Sequence, residues 1–302
     1  MSDVPRHDIP TGGRSGFVEV EGRQVHYLEW GHRGLPAVLC LHGGGQTAYM
    51  YEELGATLAG RAHVLAPDLP GHGDSDRVHA ELDQITLPTS IAATVPALLD
   101  AFGMERVPVV GASLGGMSSI VLADRHPDRV AGIVLIDVGH KLEPEGVRRI
   151  VDFMVAHESF ASLDEAAAAI AGYLPQRKAI RSESLSRNLR QRPDGRWEWK
   201  HGVGARIRAA RAAGEEPPHP ADDLSNTVLA GIEEAAGALS CPVLILRGEQ
   251  SDVLSADGAD ELVALIPDAT LEVVERAGHL AAGDNPRTTN ARITAFLERI
   301  SP

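Results

Sequence analysis

The sequence predicts an α/β fold, a mostly parallel, doubly wound sheet with a helical insertion. Three observations carry this expectation. Short, continuous apolar runs recur along the chain, helix-like stretches separate them, and the alternation stops over one long interval before resuming. Segments 17–20 and 24–30 are β-rich and joined by Glu21-Gly22-Arg23, which reads as an N-terminal hairpin. AVLCL at 37–41 is the pattern of a strand buried on both faces, and 63–66, 107–110, 133–136 and 243–246 repeat it. Segment 271–274 alternates more and is expected nearer an edge. Helices are expected over 47–58, 89–102, 114–125, 256–266 and 286–300.

From about 141 to 236 no buried-strand run occurs. The helix-like pieces 146–157 and 162–174 are followed by a polar turn at Pro193-Asp194-Gly195. A helical insertion between two strands of one sheet would sit over the carboxyl edge, where ligands of such sheets bind. The expected organisation is core at 1–139, helical cap at 140–237 and core again at 238–302, with the cap placed before the acid-bearing strand.

The 302 residues are 43% hydrophobic and 23% charged, ordinary values for a globular chain able to bury a large core. A net charge of −14 disfavours nucleic acid or an anionic membrane as partner. The polar, turn-rich start does not read as a signal peptide, and no apolar stretch reaches the ~18 residues of a membrane span. Cys40 and Cys241 lie in or beside apolar runs, so two buried thiols and a reducing cytoplasm are expected.

Gly111-Ala112-Ser113-Leu114-Gly115 follows the run 107–110 and opens a helix, the context a G-x-S-x-G nucleophile elbow requires. A serine hydroxyl needs a base to take its proton, and the base needs a third group to hold it. His279, just after the last strand, is the expected base, and Asp252, just after the strand 243–246, the expected acid. Glu249 and Asp137 are the alternative acids. Oxyanion donors are expected from the backbone N–H groups of Leu114 and Gly44, the latter in the loop His42-Gly43-Gly44-Gly45, with His42 structural.

Together with Asp68-Leu69-Pro70-Gly71-His72-Gly73-Asp74-Ser75, these motifs resemble the α/β-hydrolase superfamily, in particular its capped branch of esterases, lactonases, haloperoxidase-like enzymes and carbon–carbon bond hydrolases. The resemblance covers about 200 residues, all but the N-terminus and the cap. It implies the α/β-hydrolase fold, the triad and water-driven acyl transfer, with no metal or organic cofactor. Relatives that open epoxides or remove halide carry aspartate at the nucleophile position, so Ser113 argues against both reactions.

The insertion is basic within an acidic chain, most strongly between 177 and 211. Two readings stand: arginines paired to the acidic core, or one or two arginines gripping a substrate carboxylate. Arg187 and Arg190, read with Arg177 and Arg181 as helical, are the candidates for the grip. Trp197 and Trp199, two apart, are read as pointing to opposite faces if extended, with packing the better reading for either and Trp197 a candidate to line the pocket; Met50 is read as bordering the acyl site or packing the core. The leading function is hydrolysis of a small carboxylic ester, lactone or related acyl compound. The alternatives are C–C or amide bond hydrolysis of a carboxylate-bearing substrate, and a receptor-like ligand-binding role. The loop HGGGQT departs from the serine- and proline-bearing form associated with ring-fission product hydrolases, which weighs against the C–C reading. The expected partner is a small molecule, anionic on the second reading of the arginines.

Overall fold

Strands β1 (Gly13–Val20) and β2 (Arg23–Trp30) form the expected hairpin, paired from Gly13 opposite Trp30 to Val20 opposite Arg23. The computed structural model describes residues 9–76, 88–174, 182–202, 210, 212–215 and 229–300. β3 (Ala37–Leu41) leads through a 3-10 turn at Ala48–Tyr51 into α1 (Glu52–Leu58), and β4 (His63–Pro67) follows. Then come α2 (Pro88–Phe102), β5 (Val107–Ala112), α3 (Leu114–Arg125) and β6 (Val130–Ile136). After the insertion the core resumes with α6 (Leu229–Gly237), β10 (Val243–Gly248), α7 (Ala256–Leu265), β11 (Ala269–Val274), α8 (Ala281–Asp284) and α9 (Pro286–Ile300).

The eight strands are ordered β1-β2-β4-β3-β5-β6-β10-β11. β1, β2 and β4 pair antiparallel and the rest parallel, as the continuous apolar runs require. β11 is an edge strand, consistent with its alternating pattern. Each strand face is covered by its own apolar layer. Leu39, Val109, Ile133 and Ile245 pack one way against α2, α3 and α6. Val38, Val110, Val134 and Leu244 pack the other way against α1 and α9. Cys40 and Cys241 are free and buried among these layers.

The insertion holds α4 (Pro144–Ala156), β7 (Ser159–Phe160), α5 (Leu163–Tyr173), a 3-10 turn at Ser182–Arg187, β8 (Leu189–Gln191) and β9 (Trp197–Trp199). It is therefore not purely helical, since β7, β9 and β8 form a small antiparallel sheet. Its strands have two or three residues, too short to show a period of two in sequence. Arg190 lies on β8, not on a helix, while Arg177 and Arg181 fall outside the described residues. Helix α6, expected inside the insertion, buries Leu229, Ile232 and Ala236 in the main core and belongs with it.

Candidate active site

All the site segments leave the sheet at the carboxyl ends of parallel strands: His42 after β3, Ser113 after β5, Asp137 after β6, Ser251 beyond β10 and His279 beyond β11. Parallel pairing makes this convergence unavoidable, because neighbouring strands deliver their next residues to the same edge. Ser113 occupies a left-handed conformation (φ 47°, ψ −114°), the strained strand-to-helix turn expected of a nucleophile elbow. Its N–H is held by the Ile136 carbonyl at 3.2 Å. The turn tolerates no side chain at Gly115, where a Cβ would stand 2.1 Å from the Leu41 carbonyl oxygen.

His279 lies at the same edge, and its Nδ1 is 2.8 Å from Oδ2 of Asp137. A carboxylate can only accept, so the imidazole proton sits on Nδ1 and the lone pair on Nε2, the tautomer a general base needs. The carboxylate that His279 meets is thus Asp137 and not Asp252, which corrects the expectation for the acid. Asp252 is paired to Arg149 of α4 at the rim, its side chain 34% exposed. Glu249, the other alternative, accepts from the Arg276 amide at 2.9 Å. The physical reason lies in the backbone at the end of β6. Asp137 bonds through its N–H to the Leu246 carbonyl at 2.8 Å, then turns at φ 51°. Its buried carboxylate receives the Gly248 amide on Oδ1 at 2.8 Å and the Ser251 hydroxyl on Oδ2 at 2.5 Å. The sequence carries no sign of this contact, because nothing in residue type or spacing says that a serine beside an acid faces inward.

The β3 loop is rigidly held. Gly43 donates to Gln46 Oε1 at 3.0 Å, leaving Gly44 as the next amide along. A Cβ on Gly44 would lie 4.0 Å from Leu114 Cβ, so the two residues expected to supply oxyanion donors adjoin. Leu114 opens α3, where its N–H has no intrahelical acceptor. His42 is fully buried, donating from Nδ1 to the Gly43 carbonyl at 2.8 Å and accepting from the Leu69 amide on Nε2 at 2.9 Å. Burial, and then the neighbouring charge of His72, lower its pKa to about 4, so it stays neutral and ties two loops together. In the second loop, buried Asp68 accepts from His26 Nδ1 at 2.7 Å, the Ala48 amide at 2.7 Å and the Asp74 amide at 2.9 Å. Burial alone would raise its pKa, but these donors and the nearby histidines outweigh that and hold it low. His26, Asp68 and Asp74 converge closely enough to invite a cation. Asp68 is already saturated by donors, however, and Asp74 is paired to Lys200 at 2.6 Å, so the group acts as a structural knot.

The insertion roofs this edge. A Cβ on Gly45 (φ +76°) would stand 2.3 Å from Met154 Cε and 3.5 Å from His201 Nε2, which puts both residues over the β3 loop. Beside them is an aromatic cluster. Phe153 stacks on Tyr173 at 4.4 Å, Phe160 meets Trp199 edge-on at 5.5 Å, and Trp199 stacks on His201 at 5.6 Å. Leu280, next to His279, packs against it. Trp197 and Trp199 both pack against this cluster; the expectation of opposite faces is corrected, because residues two apart on one strand share a face.

The arginines read as a carboxylate grip each meet a carboxylate of the protein, although Nη2 of Arg190 is buried without a hydrogen-bond partner. Arg187 is paired to Glu52 of α1 and lies 5.1 Å over the Tyr49 ring, and Arg190 donates from Nε to Glu198 at 2.9 Å. Met50 sits in the 3-10 turn, packed partly against the core. A cavity of about 370 Å³ lined by Arg33, His63, Phe102 and Arg106 opens at the amino ends of the strands, away from this chemistry.

An α/β sheet of this order carrying such loops at its carboxyl edge defines a class of enzyme, the α/β-fold hydrolases. The family model for the alpha/beta hydrolase fold matches residues 36–286, and the chain belongs to that family. It is similar to an esterase of Mycobacterium tuberculosis, Rv0045c, with 29% identity covering 92% of this chain and 88% of that one. It is also 26% identical to the 2-hydroxy-6-oxo-6-phenylhexa-2,4-dienoate hydrolase of Burkholderia cepacia, covering 86% of this chain and 87% of the relative. Among solved structures, an α/β hydrolase from Novosphingobium aromaticivorans aligns with a TM-score of 0.77 at 28% identity, over 95% of this chain and 99% of that one. The protein is a hydrolase. No helix of the described residues is long and apolar enough to cross a membrane.

Proposed function

We propose that this protein is a serine hydrolase cleaving a small carboxylic ester, lactone or related acyl compound through Ser113, His279 and Asp137. The observation that carries the reading is the 2.8 Å contact of His279 Nδ1 with buried Asp137, beside the left-handed Ser113 elbow. His279 Nε2 takes the Ser113 proton as Oγ attacks the acyl carbon. The N–H groups of Gly44 and Leu114 stabilise the oxyanion, and the protonated imidazole returns its proton to the leaving oxygen. Water, activated by the same imidazole, then attacks the acyl-enzyme and releases the acid.

The insertion serves as the cap, and its aromatic cluster with Met154 and Leu280 forms an apolar wall. The acyl group is read as neutral. Among the described residues Lys141, Arg149, Arg187, Arg192 and Lys200 each already face a carboxylate, and Arg190 meets Glu198 through Nε while its Nη2 is buried without a partner; a paired cation is a poor anion receptor. Hydrolysis of a vinylogous diketone by the same triad is the second reading, favoured by the Burkholderia relative's named substrate and opposed by those occupied cations.

The test is a substrate panel of neutral activated esters, their half-acid counterparts, lactones and a vinylogous diketone, run on the wild type and Ser113→Ala. Sustained turnover of neutral esters, lost on removing the hydroxyl, is expected. Turnover unchanged in Ser113→Ala overturns the mechanism. A single acylation burst without turnover points to a receptor-like role.

A further inference from the structure

The loop after β10 was the expected home of the acid, and its actual relation to Asp137 assigns it a different task. Its residues surround the Asp137 carboxylate from two sides. The Gly248 amide donates to Oδ1 at 2.8 Å, and the Ser251 hydroxyl lies 2.5 Å from Oδ2, the same oxygen that meets His279. The direction of the Ser251 proton follows from the other contacts of its oxygen. Oγ accepts from the Val253 amide at 3.2 Å and the Leu254 amide at 3.1 Å. With amides on its lone pairs, the single hydroxyl hydrogen is left for the carboxylate.

We propose that Ser251 is a positioning residue, which by donating its hydroxyl proton to Asp137 Oδ2 fixes the plane of that carboxylate and aims it at His279. This rests on the triad reading above. The loop after β10 thereby holds the acid instead of carrying it.

The physical need is clear from the site. Asp137 is fully buried, and a buried carboxylate is tolerable only when its oxygens are supplied with donors. With only the Gly248 amide on Oδ1 and His279 itself on Oδ2, the group would keep freedom to turn about its Cβ–Cγ bond together with the imidazole it has to orient. A second donor on Oδ2, anchored by two backbone amides of the same turn, removes that freedom. Ser251 reaches the reaction only through Asp137 and His279, so its loss should act on kcat and leave KM unchanged.

The experiment compares Ser251→Ala, Ser251→Thr and Asp137→Asn with the wild type on one neutral activated ester, across pH. Ser251→Ala is expected to lower kcat on the order of 10- to 100-fold, the scale of a misplaced reacting group. It should also move the acidic limb of the pH–rate profile upward, because a carboxylate with one donor fewer holds a proton on the adjacent imidazole more strongly. Ser251→Thr retains the hydroxyl and should restore most of the rate and the original profile. Thermal melts of each variant separate local effects from unfolding. If Asp137→Asn is inert while Ser251→Ala matches wild type in rate and profile, the positioning role is wrong and the triad stands. A rate loss in Ser251→Ala with an unmoved profile and no recovery in Ser251→Thr also overturns the role. If Asp137→Asn retains wild-type activity, the triad reading itself fails and takes this proposal with it.

Discussion

Replacing Asp137 by asparagine changes one atom in the site but reverses a hydrogen bond. The carboxylate accepts three donors: the Gly248 amide, the Ser251 hydroxyl and His279 Nδ1. An asparagine that keeps its carbonyl oxygen on Gly248 turns its NH2 toward Ser251 and His279, two groups that also donate. The imidazole relieves the clash by moving its proton to Nε2, the nitrogen that must accept from Ser113. Loss of the productive tautomer in a triad of this kind costs ~10⁴-fold in kcat, or about 5 kcal/mol of barrier. Asp252→Asn makes the contrast. Asp252 is 34% exposed and its partner Arg149 59% exposed, so the pair contributes only ~0–1 kcal/mol and touches no reacting group. Its substitution should alter kcat less than about tenfold. The assay is single-turnover acylation with an activated ester in stopped flow, with urea unfolding to confirm that both variants are folded. A 10³-fold loss in Asp252→Asn, beside near-normal acylation in Asp137→Asn, would refute the assignment.

The remaining predictions concern stability and the cap. His42 has a pKa lowered to about 4 by burial and then by His72, so between its ordinary value near 6.5 and about pH 4 the unfolded chain binds a proton that the native state does not. Its contribution is complete above that window and is lost as pH falls through it, on the order of 3 kcal/mol in all. His42→Gln should flatten the decline of urea-unfolding free energy over that range, and an unchanged slope would contradict it. Arg187→Met breaks the partly buried pair with Glu52, whose carboxylate keeps the Thr11 amide and hydroxyl as donors. A cost of about 1–2 kcal/mol in stability is expected. Activity losses should be equal on a neutral ester and its half-acid counterpart, whereas a selective loss on the anionic substrate would restore Arg187 as a substrate grip.

Much of the scaffold was legible because it rests on local pattern. AVLCL and its repeats are unbroken apolar runs, which only a strand buried on both faces calls for, and α3 and α9 begin and end at the expected residues. Ser113 stood out because its glycine neighbours answer a local steric demand, visible without knowing the rest of the chain. His279 stood out by its place after the last strand. Which of three strand-end acids meets His279 was beyond the sequence. Asp137, Glu249 and Asp252 all leave the same edge, and the choice turns on a left-handed φ at Asp137 and on an amide and a hydroxyl more than a hundred positions away. The roles of the arginines were hidden for the same reason, since Arg187 is answered by Glu52, 135 positions earlier in the chain. Local sequence thus determined which elements form and which residue types reach the carboxyl edge. Only the tertiary structure, by setting side-chain directions and long-range hydrogen-bond partners, decided which of those residues face one another.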